Sequence, residues 1–246
     1  MNRTPFLALF SFGFLLCGCN EQSMVSRTAQ GIAKKKVYLN NVKNELFKKW
    51  PDNRAVNIVC HGHSVPAGYF ATPVVDTFNS YPHLLHKALK EKYPNAVINV
   101  IVTAIGGENS MGGAKRFKAD VLNHKPDLVL IDYALNDRSS GLKRSYKAWS
   151  EMIRMAKAEG VKVLLLTPTL DAKHVPGDDQ GPLNQHAKQI RSLAAEYNVG
   201  LVDSLVIFDS AIEKGVKNTE LLSNAWNHPN RRGHDIVVGE IIKWFP

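Results

Sequence analysis

Five apolar runs recur along the chain, separated by stretches in which apolar residues return every three or four positions. AVNIVCHG (55–62), AVINVIVTAI (96–105), DLVLIDYA (127–134), VKVLLLTPT (161–169) and GLVDSLV (200–206) are rich in Val, Ile and Leu. Continuous runs of this kind suit parallel strands buried on both faces, since neither face is left for water. Between them YPHLLHKALKEKY (81–93), SMGGAKRFKADVLNH (110–124), LKRSYKAWSEMIRMAKAEG (142–160) and PLNQHAKQIRSLAAEYN (182–198) carry helical periodicity. RRGHDIVVGEIIKWF (231–245) closes the chain in the same way. This alternation predicts a three-layer α/β/α domain around a five-stranded parallel sheet. In such sheets ligands bind beyond the carboxyl ends of the strands. The informative segments are therefore 61–69, 106–110, 135–138 and 171–181.

The first residues follow a different pattern. A basic start at Arg3, an apolar run over 6–16 and small residues at Gly18-Cys19 predict a signal peptide over 1–18, too short for a membrane span. Leu16-Cys17-Gly18-Cys19 resembles the lipobox of bacterial lipoproteins, which implies cleavage before Cys19 and a lipid on its thiol. An ordinary secretory signal cut nearby is the plainer alternative. Residues 19–54 then read as lipid-anchor tether and linker, ending in a short amphipathic segment, and 55–246 as the folded domain. The expectation is an exported, membrane-anchored lipoprotein of the cell envelope.

Composition sharpens this only in places. A chain of 246 residues with 44% hydrophobic content suffices for one well-filled core. With Cys17 removed and Cys19 lipidated, Cys60 alone stays in the domain, so no internal disulfide is available. The net charge is +9, or +8 once Arg3 is lost. Lys34, Lys35, Lys36, Lys43, Lys48 and Lys49 crowd the stretch after the anchor, as a solvated tether or against anionic headgroups. The remaining cations are scattered without aromatic interleaving, and nucleic acid is not an expected partner. Oligomeric state is not legible.

Three strand ends carry residues suited to chemistry. GHSVPAGY places Ser64 at a tight turn, where a serine is exposed or merely caps a helix. IGGENS supplies glycines that let backbone approach a ligand, or simply make the turn. ALND offers the Asn136 amide as a donor, although Asn also favours loops in general. Near the C-terminus NAWNHPNRRGH sets His228 in a polar, turn-rich break.

Taken together and in this order, these blocks resemble the GDSL/SGNH hydrolases over nearly the whole domain, from Val56 to the final helix. The four blocks are Gly62-His63-Ser64-Val65, Ile105-Gly106-Gly107-Glu108, Ala134-Leu135-Asn136-Asp137 and His228-Pro229-Asn230. Tyr81-Pro82 matches an aromatic–Pro pair common in the family. The resemblance implies a flavodoxin-like sheet and a serine esterase with Ser64 as nucleophile and His228 as base. It implies an oxyanion hole from the N–H groups of Ser64 and Gly107 and the amide of Asn136. No metal or organic cofactor is required by this chemistry. The implied partner is a small-molecule or glycan ester, and an exported setting without a long apolar insertion favours O-acetyl groups on carbohydrate. Acyl-ester or lysophospholipid hydrolysis is the alternative, and KHVPGDDQG (173–181) is either a sugar-binding rim or a surface loop.

Two positions depart from the family pattern. His63 stands where Asp normally precedes the nucleophile, and Ala225 stands where Asp-x-x-His supplies the carboxylate that orients the base. A backbone carbonyl near Asn224 or Asn227, or a carboxylate such as Asp171, is a candidate substitute. The missing Asp also fits a non-catalytic saccharide-binding lipoprotein on the same fold. His61-Gly62-His63, with His228 and His234, raises a zinc site without HExxH or comparable spacing. A dinucleotide site lacks GxGxxG after the first strand.

Overall fold

The computed structural model describes Met1 and residues 31–246. The rest of the expected signal segment, and Cys19, lie outside the described residues. Strands β1 (Ala55–Gly62), β2 (Val97–Val102), β3 (Leu128–Asp132), β4 (Lys162–Leu166) and β5 (Gly200–Val202) form one sheet in the order β2-β1-β3-β4-β5, paired in parallel throughout. The helices are α1 (Lys35–Tyr38), α2 (Asn40–Phe47), α3 (Ser64–Ala67), α4 (Tyr81–Lys92), α5 (Ser110–Asp120), α6 (Ala134–Asp137), α7 (Leu142–Ala158), α8 (Pro182–Tyr197), α9 (Ser204–Glu213) and α10 (Arg231–Ile242). This is the expected flavodoxin-like arrangement.

Alternation along each strand divides the core into two layers. Ile58, Cys60, Leu128, Leu130, Leu164 and Leu166 pack on one face with buried residues of α2, α4, α9 and α10. Val59, Val129, Ile131, Val163 and Leu165 pack on the other with α5, α7 and part of α8. Both layers are apolar, which is why the strands read as unbroken hydrophobic runs.

Two expectations are corrected. Part of the stretch assigned to tether and linker (19–54) belongs to the domain. The Ala33 N–H bonds the Val199 carbonyl at 3.2 Å, and Leu39, Val42 and Leu46 bury one stripe of α2 in the first core layer. Lys35 pairs with Glu240 of α10, so some of the lysine-rich stretch is docked on the domain rather than solvated. The spacing of Leu39, Val42 and Leu46 was the available signal. The run 200–206 breaks after Val202 because Leu205 and Phe208, three apart, bury the face of a helix, α9, rather than continue the strand. Every crossover leaves the same end of the sheet, and that end gathers Ser64, Gly107, Asn136 and the loop before α8.

Candidate active site

The turn that carries Ser64 is shaped by close packing at the end of β1. A side chain on Gly62 would place its Cβ 2.4 Å from the Asp132 carbonyl oxygen and 2.7 Å from Pro66 Cγ, so only glycine lets the strand turn there. His63 caps α3: its Nδ1 accepts the Val65 N–H at 3.3 Å, a task that a short carboxylate would otherwise perform. Ser64 opens α3, where its N–H has no intrahelical acceptor.

His228 sits on a loop held by its own polar side chains. Asn224 Oδ1 accepts the N–H groups of Trp226, Asn227 and His228 at 3.0, 2.9 and 3.0 Å. Ser223 donates to the His228 carbonyl through its N–H at 2.8 Å and its hydroxyl at 3.0 Å. The imidazole that results is half-buried, with Nε2 3.0 Å from Ser64 Oγ and Nδ1 2.9 Å from the Phe70 carbonyl oxygen. A carbonyl only accepts, so Nδ1 carries the proton and Nε2 presents its lone pair to the serine hydroxyl.

Neither side-chain candidate for orienting His228 takes this place. The Asp171 carboxylate is bound to Arg138 and to the Lys173 N–H, and Asn227 contributes its backbone N–H to Asn224. Ala225 is exposed. The group at His228 Nδ1 is instead the Phe70 backbone carbonyl, from the loop after α3 and distant in sequence.

Burial holds the His228 pKa below its usual value, the Phe70 bond opposes this, and His63 nearby lowers it further. A general base works in its neutral form, so activity should fall only as pH drops through this lowered value. The acid limb of kcat/KM is expected below pH 6.5, the ordinary histidine value, in a profile taken from about pH 4 to pH 8. A limb at or above that value contradicts the assignment.

The opposite wall contains the two glycines and Asn136. Gly107 has φ +76°, a conformation L side chains rarely adopt, and a Cβ on Gly106 would lie 2.9 Å from the Tyr69 ring. Asn136 spends one amide hydrogen on the Glu108 carbonyl at 2.9 Å, which fixes the side chain and leaves the second hydrogen without a partner among the described residues. Glu108 is itself fastened by Arg116 and by the Tyr133 hydroxyl at 2.8 Å. Asp137 anchors α6 by accepting from the Ser110 N–H at 2.8 Å and from Trp149 Nε1 at 2.7 Å. Phe70, Glu108 and Asp137 were not singled out from sequence, since their roles rest on contacts between distant segments.

The other histidines face different partners. His61 bonds Thr103 Oγ1 at 2.8 Å, the Gly113 carbonyl at 3.2 Å and the Tyr133 hydroxyl at 3.1 Å. His234 accepts the Tyr81 N–H at 3.2 Å and ties α4 to α10. The 173–181 segment, with Arg138, Asp171, Pro182, Leu183 and Asn184, lines a cleft of about 200 Å³ in which polar and apolar groups are mixed. The Ala172 N–H bonds the Trp226 carbonyl at 2.6 Å, which joins this cleft to the His228 loop.

Residues 60–236 match the model of the GDSL-like lipase/acylhydrolase family. Esterase TesA of Pseudomonas aeruginosa is 34% identical over 105 residues, 42% of this chain, and the match spans about half (51%) of that esterase's length. An acetylxylan esterase of Geobacillus stearothermophilus is 25% identical over 173 residues, 63% of this chain and 75% of its own. A solved mutant of a Geobacillus acetyl-xylooligosaccharide esterase shares the fold at 20% identity, with TM-score 0.68 over 77% of this chain and 94% of its own. Solved catalytic mutants of that Geobacillus acetylxylan esterase replace a serine, a histidine, or an aspartate three positions before that histidine. A two-domain esterase active on acetylated mannans superposes with TM-score 0.70 at 22% identity, over 88% of this chain and 54% of its own. With the family model covering most of the domain, the chain belongs to the GDSL-like lipase/acylhydrolase family and is an esterase of the GDSL/SGNH type.

Proposed function

We propose that this esterase removes O-acetyl groups from carbohydrate through an acyl-enzyme on Ser64, with His228 as its base. The reading is carried by the 3.0 Å contact of Ser64 Oγ with His228 Nε2, in an imidazole whose tautomer is set by the Phe70 carbonyl. Ser64 Oγ attacks the ester carbonyl while His228 takes its proton. The N–H groups of Ser64 and Gly107 and the free amide hydrogen of Asn136 are the donors for the oxyanion. Each such donor is typically worth about 10²–10³ in rate. His228 then protonates the leaving alcohol, and water activated by the same imidazole releases acetate.

The acetyl-sugar assignment rests on two observations. Relatives that act on acetylated xylan and mannan share the family or the fold. Trp226 is 68% exposed two residues before His228, where its indole face is available to a sugar ring. The cleft beside it, of mixed polar and apolar lining, offers Arg138, Asp171 and Asn184 to hydroxyl groups. A second reading, hydrolysis of longer acyl esters, is favoured by the exposed Ile105 beside the glycine turn and by Val74 and Val75 next to Phe70.

Acetate release from acetylated xylo- and manno-oligosaccharides, measured beside p-nitrophenyl esters of rising chain length, separates the two. The acetyl ester is expected to have the highest kcat/KM, with octanoate at least about tenfold lower. A preference for octanoate, with no release from the oligosaccharides, selects the second reading.

A further inference from the structure

The carboxylate missing at position 225 has a counterpart on the other side of the nucleophile. Gly62 and Asp132 are register partners at the ends of β1 and β3, so the residue after Gly62 meets the end of the neighbouring strand. His63 and Asp132 are 0% and 1% exposed, and His63 Nε2 lies 3.4 Å from Asp132 Oδ1. Neither Asp132 carboxylate oxygen has a hydrogen-bond partner of good geometry among the described residues. A buried, unpartnered carboxylate demands an explanation. The groups around it are His63, the Tyr81 hydroxyl and the Cys60 thiol; burial and then the Asp132 charge raise the pKa of the last two. Of the three, only the imidazole can take up a positive charge.

The remaining nitrogen of His63 faces the reacting atom. Nδ1 accepts the Val65 N–H at 3.3 Å and lies 3.4 Å from Ser64 Oγ, so its one lone pair is shared between the two. The ring proton then sits on Nε2, toward Asp132. The Ser64 hydroxyl therefore lies between two imidazole lone pairs, at 3.0 Å from His228 and 3.4 Å from His63. One imidazole is backed by a carbonyl, the other by a carboxylate.

We propose that His63, oriented by Asp132, is a second proton acceptor for Ser64, one that serves the attack on esters whose leaving group departs without a proton. This rests on the reading of Ser64 as the nucleophile. In the attack, the Ser64 O–H bond breaks and its proton passes to His63 Nδ1. The Oγ–carbon bond forms, and the carbonyl π pair moves onto the oxyanion. The imidazolium faces Asp132, and the Val65 N–H gives up its bond to Nδ1 while the proton is held there. The proton returns to Oγ when deacylation expels that oxygen from the acyl-enzyme. Collapse restores the carbonyl and expels the leaving group with its electron pair. Here the two histidines part. His63 is fully buried and cannot hand a proton to a departing alcohol or draw one from water, whereas half-buried His228 can. A p-nitrophenolate departs without a proton; a sugar alkoxide does not.

The test is pre-steady-state turnover of the His228→Ala enzyme. With p-nitrophenyl acetate it is expected to give a burst approaching one product per enzyme and then to stall as acetyl-Ser64, visible by intact mass. With an acetylated xylo-oligosaccharide it should release almost no acetate. Adding His63→Asn, whose amide oxygen keeps the cap for Val65, should slow the burst at least about tenfold. Asp132→Asn in the same background is a second arm, expected to slow the burst without changing its amplitude or the melting temperature. No burst in His228→Ala, or a burst rate indifferent to both added substitutions, overturns the proposal while leaving Ser64 as nucleophile. A wild type without Ser64-dependent turnover of either substrate overturns the underlying reading and this proposal together.

Discussion

Ser64→Ala is expected to lower kcat by about 10⁵-fold or more toward p-nitrophenyl acetate and acetylated oligosaccharide alike, with KM and melting temperature little changed. The oxygen that would attack is removed, and no neighbouring group replaces it. The substitution deletes one small polar atom from the first residue of a short helix, so the cap from His63 and the fit of Gly62 against Asp132 persist. Turnover measured with matched melting curves checks this. A fall in activity that tracks a fall in stability would point to damage of the fold rather than loss of the nucleophile.

Loss of His228 is expected to be nearly as severe for the sugar ester. In the proposed mechanism His228→Ala removes the base, the proton donor for the alcohol and the activator of water together, so kcat for acetylated oligosaccharide should fall by about 10⁴-fold or more. The size of this effect depends on whether a histidine without a carboxylate is competent at all. In the serine-protease template, replacing the orienting Asp by Asn costs about 10⁴ in turnover, and that loss is attributed to the wrong tautomer. The Phe70 carbonyl has no proton to donate, so it selects the correct tautomer at 2.9 Å. What it does not supply is charge to stabilise the imidazolium. In the proposed mechanism the base is thus correctly posed but lacks a charged partner; burial, and His63 nearby, hold its pKa down, and the Phe70 bond opposes this. Steady-state acetate release by wild type and His228→Ala gives the comparison, and activity within about tenfold of wild type would remove His228 from the role of base.

Much of the architecture was legible because it depends on local pattern. Strands buried on both faces print unbroken Val, Ile and Leu runs, and the blocks around Ser64, Gly107, Asn136 and His228 are short enough to be read as motifs. The parts that were not legible depend on what lies next to what. The partner of His228 Nδ1 is a backbone atom of Phe70, 158 positions away, and every residue carries a carbonyl. Position 225 looks deficient only when the orienting group is sought among side chains nearby in sequence. His63 reads as a lost Asp until its ring is seen to cap α3 with one nitrogen and to face Asp132 with the other. The short amphipathic segment before β1 is legible, but nothing local tells that Leu39, Val42 and Leu46 dock on the core rather than end a linker.

The central claim is that an acyl group passes through Ser64, and intact-mass analysis after a rapid acid quench tests it most directly. The His228→Ala enzyme mixed with p-nitrophenyl acetate should carry a single acetyl group, mapped by peptide sequencing to Ser64 and absent when Ser64→Ala is added. An acetyl group elsewhere in the chain, or none while p-nitrophenol is still released, would contradict it.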